Sequence, residues 1–557
     1  MRFVLGALAL SLASPVLCAA PPIIIISVDT LRADHLGTYG YRGVATPNID
    51  SFASGGTLYS NIACQTPLTL PSHTSLFTST YPFENGIQEN AEQVPKGLVT
   101  LASVLGSHGY KTAAFISSVF LEQEMGLDQG FGTYDSPFNF AAFSPVSGEM
   151  FRGSKGNSRT VRDHRDGALT SYAALRWMNG HKGETVFVFI HLFDLHTPYS
   201  ISETAAKEKG LSRYDAQLGY EDDIIGRLKI ALIHSGWWDK SLTILLSDHG
   251  EGLGDHGELS HGYFIYQSTL HVPLIFHWPA GFTSQPARID QPAGLIDVAP
   301  TIIDFLHISA PQSFEGLSLL DGSSRVVYSE SLHTHDSFGW SPLRSIRRGD
   351  YKYIEAPEQE LYDLKNDPAE RKNLVAIDHE RVLTLSSELA KVRVSHLRRG
   401  PAPVTSVNAE TEKLLASLGY LSTGPRGKLS TSGPDPKDRL LEFRLYEKAI
   451  GLVADRRLQS AIVLLKQVLA HDSKNILARR DLASCYLDLH EDAEARDNFQ
   501  QVVGAAPNDY PAQFGLGIAA KHLGLVDEAR VHLAEACRLA PNATQCRSEL
   551  DSLPTPK

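Results

Sequence analysis

The sequence predicts an α/β domain, with a mostly parallel sheet sandwiched by helices and a small antiparallel C-terminal subdomain, followed by an all-α domain. Three observations carry this reading. Continuous runs of β-branched and other apolar residues at 23–28, 186–190 and 242–247 read as strands buried on both faces, as in parallel sheets. Amphipathic segments such as 97–108 and 220–236 lie between them, and that alternation is the pattern of α/β folds. Past residue 438, self-similarity recurs at a fixed period of 34 residues, the mark of a stacked helical array.

The 557 residues suit two or three domains. Apolar residues at 42% and charged residues at 20% fit a globular chain and exclude a disordered one. A net charge of −12 without a long basic run argues against a nucleic-acid partner, because phosphate binding needs clustered Lys and Arg. Five Cys without a CxxC pair exclude a disulfide scaffold and a Cys-rich zinc site.

Residues 1–20 read as a secretory signal peptide. Met1-Arg2 is a basic start, 3–13 is apolar, and Cys18, Ala19 and Ala20 are small. Pro15, Pro21 and Pro22 interrupt any span, and the apolar run falls short of the roughly 20 residues a membrane helix needs. The chain is therefore expected to be exported, to the periplasm or beyond, with no stable transmembrane span once mature. Residues 21–395 form the α/β domain, in which short polar strands at 325–330, 351–355 and 360–364 build the antiparallel subdomain. Residues 396–438 are a linker rich in Gly, Pro and Ser, with a short helix at 410–418.

Residues 439–550 hold about three repeats. Ala461, Ala495 and Ala529 share one register, as do Pro507 and Pro541, Leu482-Ala483 and Leu516-Gly517, and Phe499 and Leu533. Small residues sit where paired helices touch. The pattern resembles the tetratricopeptide repeat, with a degenerate first copy that has Lys448 and Ser473 at its Leu and Pro positions. Such a stack is expected to bind a protein partner or to dock on the α/β domain.

The three apolar runs share one feature. Each leads to an aspartate, Asp29, Asp194 or Asp248, and open α/β sheets bind ligands at the carboxyl ends of their strands. Histidines crowd the same region, with nine of the 22 between residues 181 and 277.

The stretches 28–37, 69–79, 247–257, 272–275, 297–301 and 361–368 resemble, in family order, those of the sulfatase family within the alkaline phosphatase superfamily. The resemblance implies a metal-dependent hydrolase or transferase of an anionic ester. The residues agree with it. Pro71 is placed to open a helix, so the Thr69 hydroxyl would sit at a helix N-terminus, where free N–H groups and the dipole hold anions. A hydroxyl beside a metal can be deprotonated there and attack. Asp29, Asp248, His249 and Thr69 are expected to form one metal site, with Thr69 as nucleophile and ligand.

The departures from the family pattern are informative. Sulfatases carry a Cys or Ser that becomes formylglycine, with Pro two and Arg four residues later; here Thr69, Pro71 and His73 stand there. Threonine cannot give that aldehyde, because its Cβ bears a methyl. Thr30 replaces one of a pair of aspartates and His249 replaces an asparagine, which disfavours calcium and favours zinc or manganese. These changes look like the phosphodiesterase and phosphoryl-transferase branches. A second metal would take Asp194, His196 and His261; the alternative is that His196 and His261 orient and protonate the ester. His73 and Glu330 are expected at the substrate. A phosphate mono- or diester is the favoured substrate, a sulfate ester the alternative. A binding protein without turnover is the second alternative, opposed by the intact Asp29, Thr69, Asp248 and His249. Cys537 and Cys546 flank a helix–helix turn and can pair in an exported chain.

Overall fold

The computed structural model describes residues 20–138, 164–282, 286–397, 405–406, 433–454, 456–540 and 544–554. Residues 1–19 of the expected signal segment 1–20, and the expected helix at 410–418, lie outside the described residues.

The three apolar runs are neighbours at the centre of a nine-stranded sheet. Ile23–Val28 runs parallel to Val186–Leu192 on one side and to Leu242–Leu246 on the other. Lys111–Phe115 and Thr133–Asp135 extend the parallel half; His271–His277 and Thr57–Ala63 extend the other, both in antiparallel steps. The sheet is thus mostly parallel, as the continuous apolar runs predict. Every residue of the central strand is buried.

Side chains alternate between two layers. Ile23, Ile25, Phe187 and Phe189 face one core, which includes Leu70, Leu76 and Phe77 of helix Thr69–Thr78. Ile24, Ile26, Val188 and Ile190 face the other, with Leu218, Ile225, Leu228 and Leu232 of helix Arg213–Ser235. Each fully buried Ile or Phe contributes about 1.5–3 kcal/mol, so both faces hold the strands in register.

The C-terminal subdomain is a four-stranded antiparallel sheet in the order Val326–Ser331, Leu343–Arg348, Tyr351–Glu355, Glu360–Asp363. Leu343–Arg348, with three arginines, carries too little apolar signal to be read from sequence. Helix His379–Leu397 covers this sheet through Val382, Leu385 and Leu389.

The repeats form antiparallel pairs: Leu440–Ala454 with Leu458–His471, Ile476–Asp488 with Asp492–Ala505, and Tyr510–His522 with Val526–Leu539. Ala461, Ala495 and Ala529 are fully buried at these seams. A Cβ on Gly517 would lie 2.7 Å from the Leu533 side chain, so the close approach requires glycine. A disulfide joins Cys537 and Cys546. The linker is already attached before it ends: Gly433 and Pro434 carbonyls accept hydrogen bonds from Ser341. Phe443 and Tyr446 of the first repeat helix belong to the same apolar core as the main sheet. Among the described residues no helix is long and apolar enough to cross a membrane.

Candidate active site

Parallel register places the site. Val28 pairs with Leu192, and Ser27 pairs with His191 on one side and Leu246 on the other. The carboxyl ends of the three strands therefore align. Asp29 lies one residue past its strand and Asp248 two past its own, both completely buried. Thr30 follows in a left-handed conformation, φ 57°, an outlier for a β-branched residue. Tyr214 holds it there. Its hydroxyl donates to the Thr30 carbonyl at 2.9 Å and accepts the Arg32 N–H at 2.9 Å.

Thr69 is the first residue of a ten-residue helix that is buried throughout. Its Oγ1 donates to Asp29 Oδ2 at 3.3 Å and lies 3.4 Å from His249 Nε2. His249 Nε2 is 3.5 Å from Asp248 Oδ2 and 3.9 Å from Asp29 Oδ1. Its Nδ1 faces the Gly250 carbonyl at 3.0 Å, which requires a proton on Nδ1 and leaves Nε2 bare in the neutral ring. The four residues expected to form one site are brought together.

The structure adds His191. Successive residues of a strand alternate faces, so His191 shares the face of Phe187 and Phe189 that looks toward the Thr69 helix. Its Nε2 lies 3.4 Å from Asp29 Oδ2, and neither ring nitrogen has a hydrogen-bond partner. Strand parity groups it with Phe187 and Phe189, but which face meets the Thr69 helix is settled only by the packing. Asp194 goes the other way. Its Oδ2 accepts the Gly167 N–H at 2.8 Å at the start of helix Gly167–Gly180, and the nearby titratable groups are Asp166, Glu221 and His164. The structure does not bring it to His196 and His261.

His196 and His261 do approach each other, with ring centroids 5.1 Å apart, and His261 lies 4.4 Å from the His249 ring. His196 Nδ1 donates to the Thr197 carbonyl, which leaves a buried, unpartnered Nε2. His261 Nδ1 is 3.0 Å from Glu251 Oε1. His73 is buried against the first turn of its helix: Nδ1 donates to the Thr69 carbonyl at 2.8 Å and Nε2 accepts from Ser27 Oγ at 2.9 Å. Glu330 accepts from Gln88 Nε2 and Tyr328 Oη, both at 2.6 Å, and no described contact joins it to Thr69. Arg32, unremarked in the sequence, ties the two metal-side loops. It binds Asp34 at 2.7 Å and Asp255 at 2.8 Å and donates to the Glu251 carbonyl at 3.0 Å.

Burial dominates the electrostatics. It pushes Asp29 and Asp248 above the usual carboxylate range. It holds His73, His191 and His196 down to about 4, and raises Glu251 to about 7. Burial also opposes charge on His249, but Asp248 and Asp29 outweigh it and raise its pKa.

The donor set fits a divalent cation. Asp29, Asp248 and His249 present ligand atoms within 4.8 Å of one another, as do His73, His191 and Asp248. Asp29 Oδ1, Asp248 Oδ2, both His191 nitrogens and His196 Nε2 are buried without partners. Each such atom costs about 1–3 kcal/mol, and one cation would satisfy several at once. In the second trio His73 has both nitrogens engaged, so His191 is its available imidazole.

A buried hydroxyl at a helix N-terminus, set among carboxylates and imidazoles at the carboxyl end of a parallel sheet, is an arrangement that can hold a cation beside a potential nucleophile. The chain belongs to the sulfatase family, whose model matches residues 21–308. A model for the C-terminal region of N-sulphoglucosamine sulphohydrolase matches 254–398, and a tetratricopeptide repeat model matches 452–497. The chain is 24% identical to an arylsulfatase of Clostridium perfringens, over 68% of this chain and 93% of that protein. It is 26% identical to a Δ4,5-hexuronate-2-O-sulfatase of Bacteroides thetaiotaomicron, over 64% and 84%. The phosphonate monoester hydrolase of Agrobacterium radiobacter shares the fold, with a TM-score of 0.55 at 20% identity, over 68% of this chain and 96% of that one.

Proposed function

We propose that this protein is an exported, metal-dependent esterase that cleaves an anionic ester through Thr69, with a phosphate mono- or diester as the favoured substrate. The observation that carries the reading is the Thr69 hydroxyl, 3.3 Å from Asp29 Oδ2 at a buried helix N-terminus, in place of a formylglycine precursor. Asp29, Asp248, His249 and His191 would hold the cation, and imidazole ligands suit zinc or manganese better than calcium. A bound divalent ion would acidify the Thr69 hydroxyl and neutralise charge on the ester oxygens. His196 Nε2, bare and unpartnered, would orient the ester beside His261 rather than hold a second metal with it.

The chain's own groups fill the remaining roles. Asp29 Oδ2 accepts the Thr69 proton as Oγ attacks phosphorus. The P–O bond to the alcohol breaks, and the leaving oxygen takes the Nε2 proton of His261, which burial keeps neutral; His261 Nδ1, 3.0 Å from Glu251 Oε1, takes in turn the proton of the Glu251 carboxyl, which burial raises to about 7. Water or an acceptor hydroxyl then attacks the phospho-threonine, its proton passing through His261 back to Glu251; the P–Oγ bond breaks and Asp29 returns its proton to the Thr69 hydroxyl.

A sulfate ester is the second reading, favoured by relatives named as sulfatases. Turnover of matched aryl phosphate, aryl phosphodiester and aryl sulfate, with elemental analysis of the purified protein, separates the two. Activity confined to the sulfate would overturn the phosphate reading. The Cys537–Cys546 bridge supports export.

A further inference from the structure

The array does more than follow the catalytic domain; its first helix grips the loop that carries His261. Residues 251–261 form a hairpin in which the Gly252, Leu253 and Gly254 N–H groups donate to the Ser260, Leu259 and Glu258 carbonyls at 2.6, 3.2 and 2.7 Å. Glu251 starts one arm and His261 ends the other, and the two side chains pair. Helix Leu440–Ala454 holds this hairpin at three points. At the tip, Arg444 Nε donates to the Gly257 carbonyl at 2.9 Å, and a Cβ on Gly257 would lie 2.3 Å from Leu440. Along the arm, Ser260 Oγ donates to Glu447 Oε1. At the root, the Tyr263 and Phe443 rings have centroids 3.4 Å apart.

We propose that Glu447, from the repeat array, is a positioning residue for the reaction: through Ser260 it fixes the hairpin so that His261 and Glu251 meet the ester in working geometry. Ser260 is adjacent to His261 in the chain, so a shift of its hydroxyl moves the imidazole. An error near 1 Å at a reacting group costs on the order of 100-fold in rate. The array is then part of the active site, and removing it removes a wall of that site. The inference rests on the reading of His261 as a group at the reacting centre.

The test uses the full chain and an aryl phosphate. Glu447→Ala is expected to lower kcat by about 10- to 100-fold, leave KM and metal content near the parent's, and move a limb of the pH–rate profile. Glu447→Gln keeps an acceptor oxygen for Ser260 and should restore turnover. Lys448→Ala, on the exposed side of the same helix, should match the parent. Parent kcat and pH profile in Glu447→Ala, with His261→Ala inactive, would overturn the positioning role alone. Equal losses in the Ala and Gln variants, tracking a lowered Tm, would overturn it in favour of mere docking. Full turnover in His261→Ala would overturn the reading of the site, and this proposal with it.

Discussion

Thr69→Ala is the most direct perturbation of the site. The side chain is fully buried, and its hydroxyl makes only long contacts, 3.3 Å to Asp29 Oδ2 and 3.4 Å to His249 Nε2. Bonds near the outer limit of hydrogen-bond geometry contribute little. Losing them with one methyl costs about 1–2 kcal/mol, so Thr69→Ala should fold, with Tm lowered by a few degrees. Asp29, Asp248, His249 and His191 remain, so metal content should stay close to the parent's. Turnover should fall by about 1,000-fold or more, as when a nucleophile is removed. Thr69→Ser keeps an oxygen and should retain a large fraction of activity. The assay is steady-state turnover of aryl phosphate, diester and sulfate, with Tm and elemental analysis on the same preparations. Parent-like turnover by Thr69→Ala at equal metal content would refute the nucleophile.

The other predictions follow from neighbouring geometry. Zinc or manganese at 100 times its Kd should stabilise the folded chain by about 2.7 kcal/mol; a Tm that ignores added metal would count against the cation site. His191→Ala should weaken metal binding by 10-fold or more, order-of-magnitude, whereas Asp194→Asn should leave it unchanged, read by equilibrium dialysis. His73, pushed down to about 4 by burial, stays neutral when folded. The unfolded chain, with a His pKa of about 6.5, binds the extra proton first. Stability is therefore full above about pH 6.5 and falls towards pH 4, by up to about 3 kcal/mol for this group. Denaturant melts across that window should show the slope in the parent and lose this share in His73→Phe. At Gly250 a Cβ would lie 2.1 Å from the Ser268 carbonyl oxygen. Gly250→Ala should therefore displace the Asp248–His249 loop and cost roughly 10- to 100-fold in kcat with all ligands intact.

Much of this was legible because it is local. The strands announce themselves as continuous apolar runs, and Asp29, Thr69, Asp248 and His249 lie in short motifs whose neighbours fix the backbone around them. The 34-residue register of Ala461, Ala495 and Ala529 placed the helical seams. His191 escaped because its role depends on which face of the strand meets the Thr69 helix, and parity alone left that open. Asp194 is the mirror case: it ends its strand as expected, yet its carboxylate turns to the Gly167 N–H on the other side of the sheet.

By itself, then, the sequence determined the parallel sheet, the repeat array, and Asp29, Asp248 and His249 past the strand ends with Thr69 at a helix start, since burial periodicity and helix-starting chemistry act over a few neighbours. Only the tertiary structure decided the rest. The pairing of Ser27 with His191 spans more than 160 positions, and it sets which imidazole reaches Asp29. The docking of helix Leu440–Ala454 on the hairpin at Gly257 and Ser260 joins two domains that look independent in the sequence. Both depend on which surfaces bury against each other, and no local pattern carries that information.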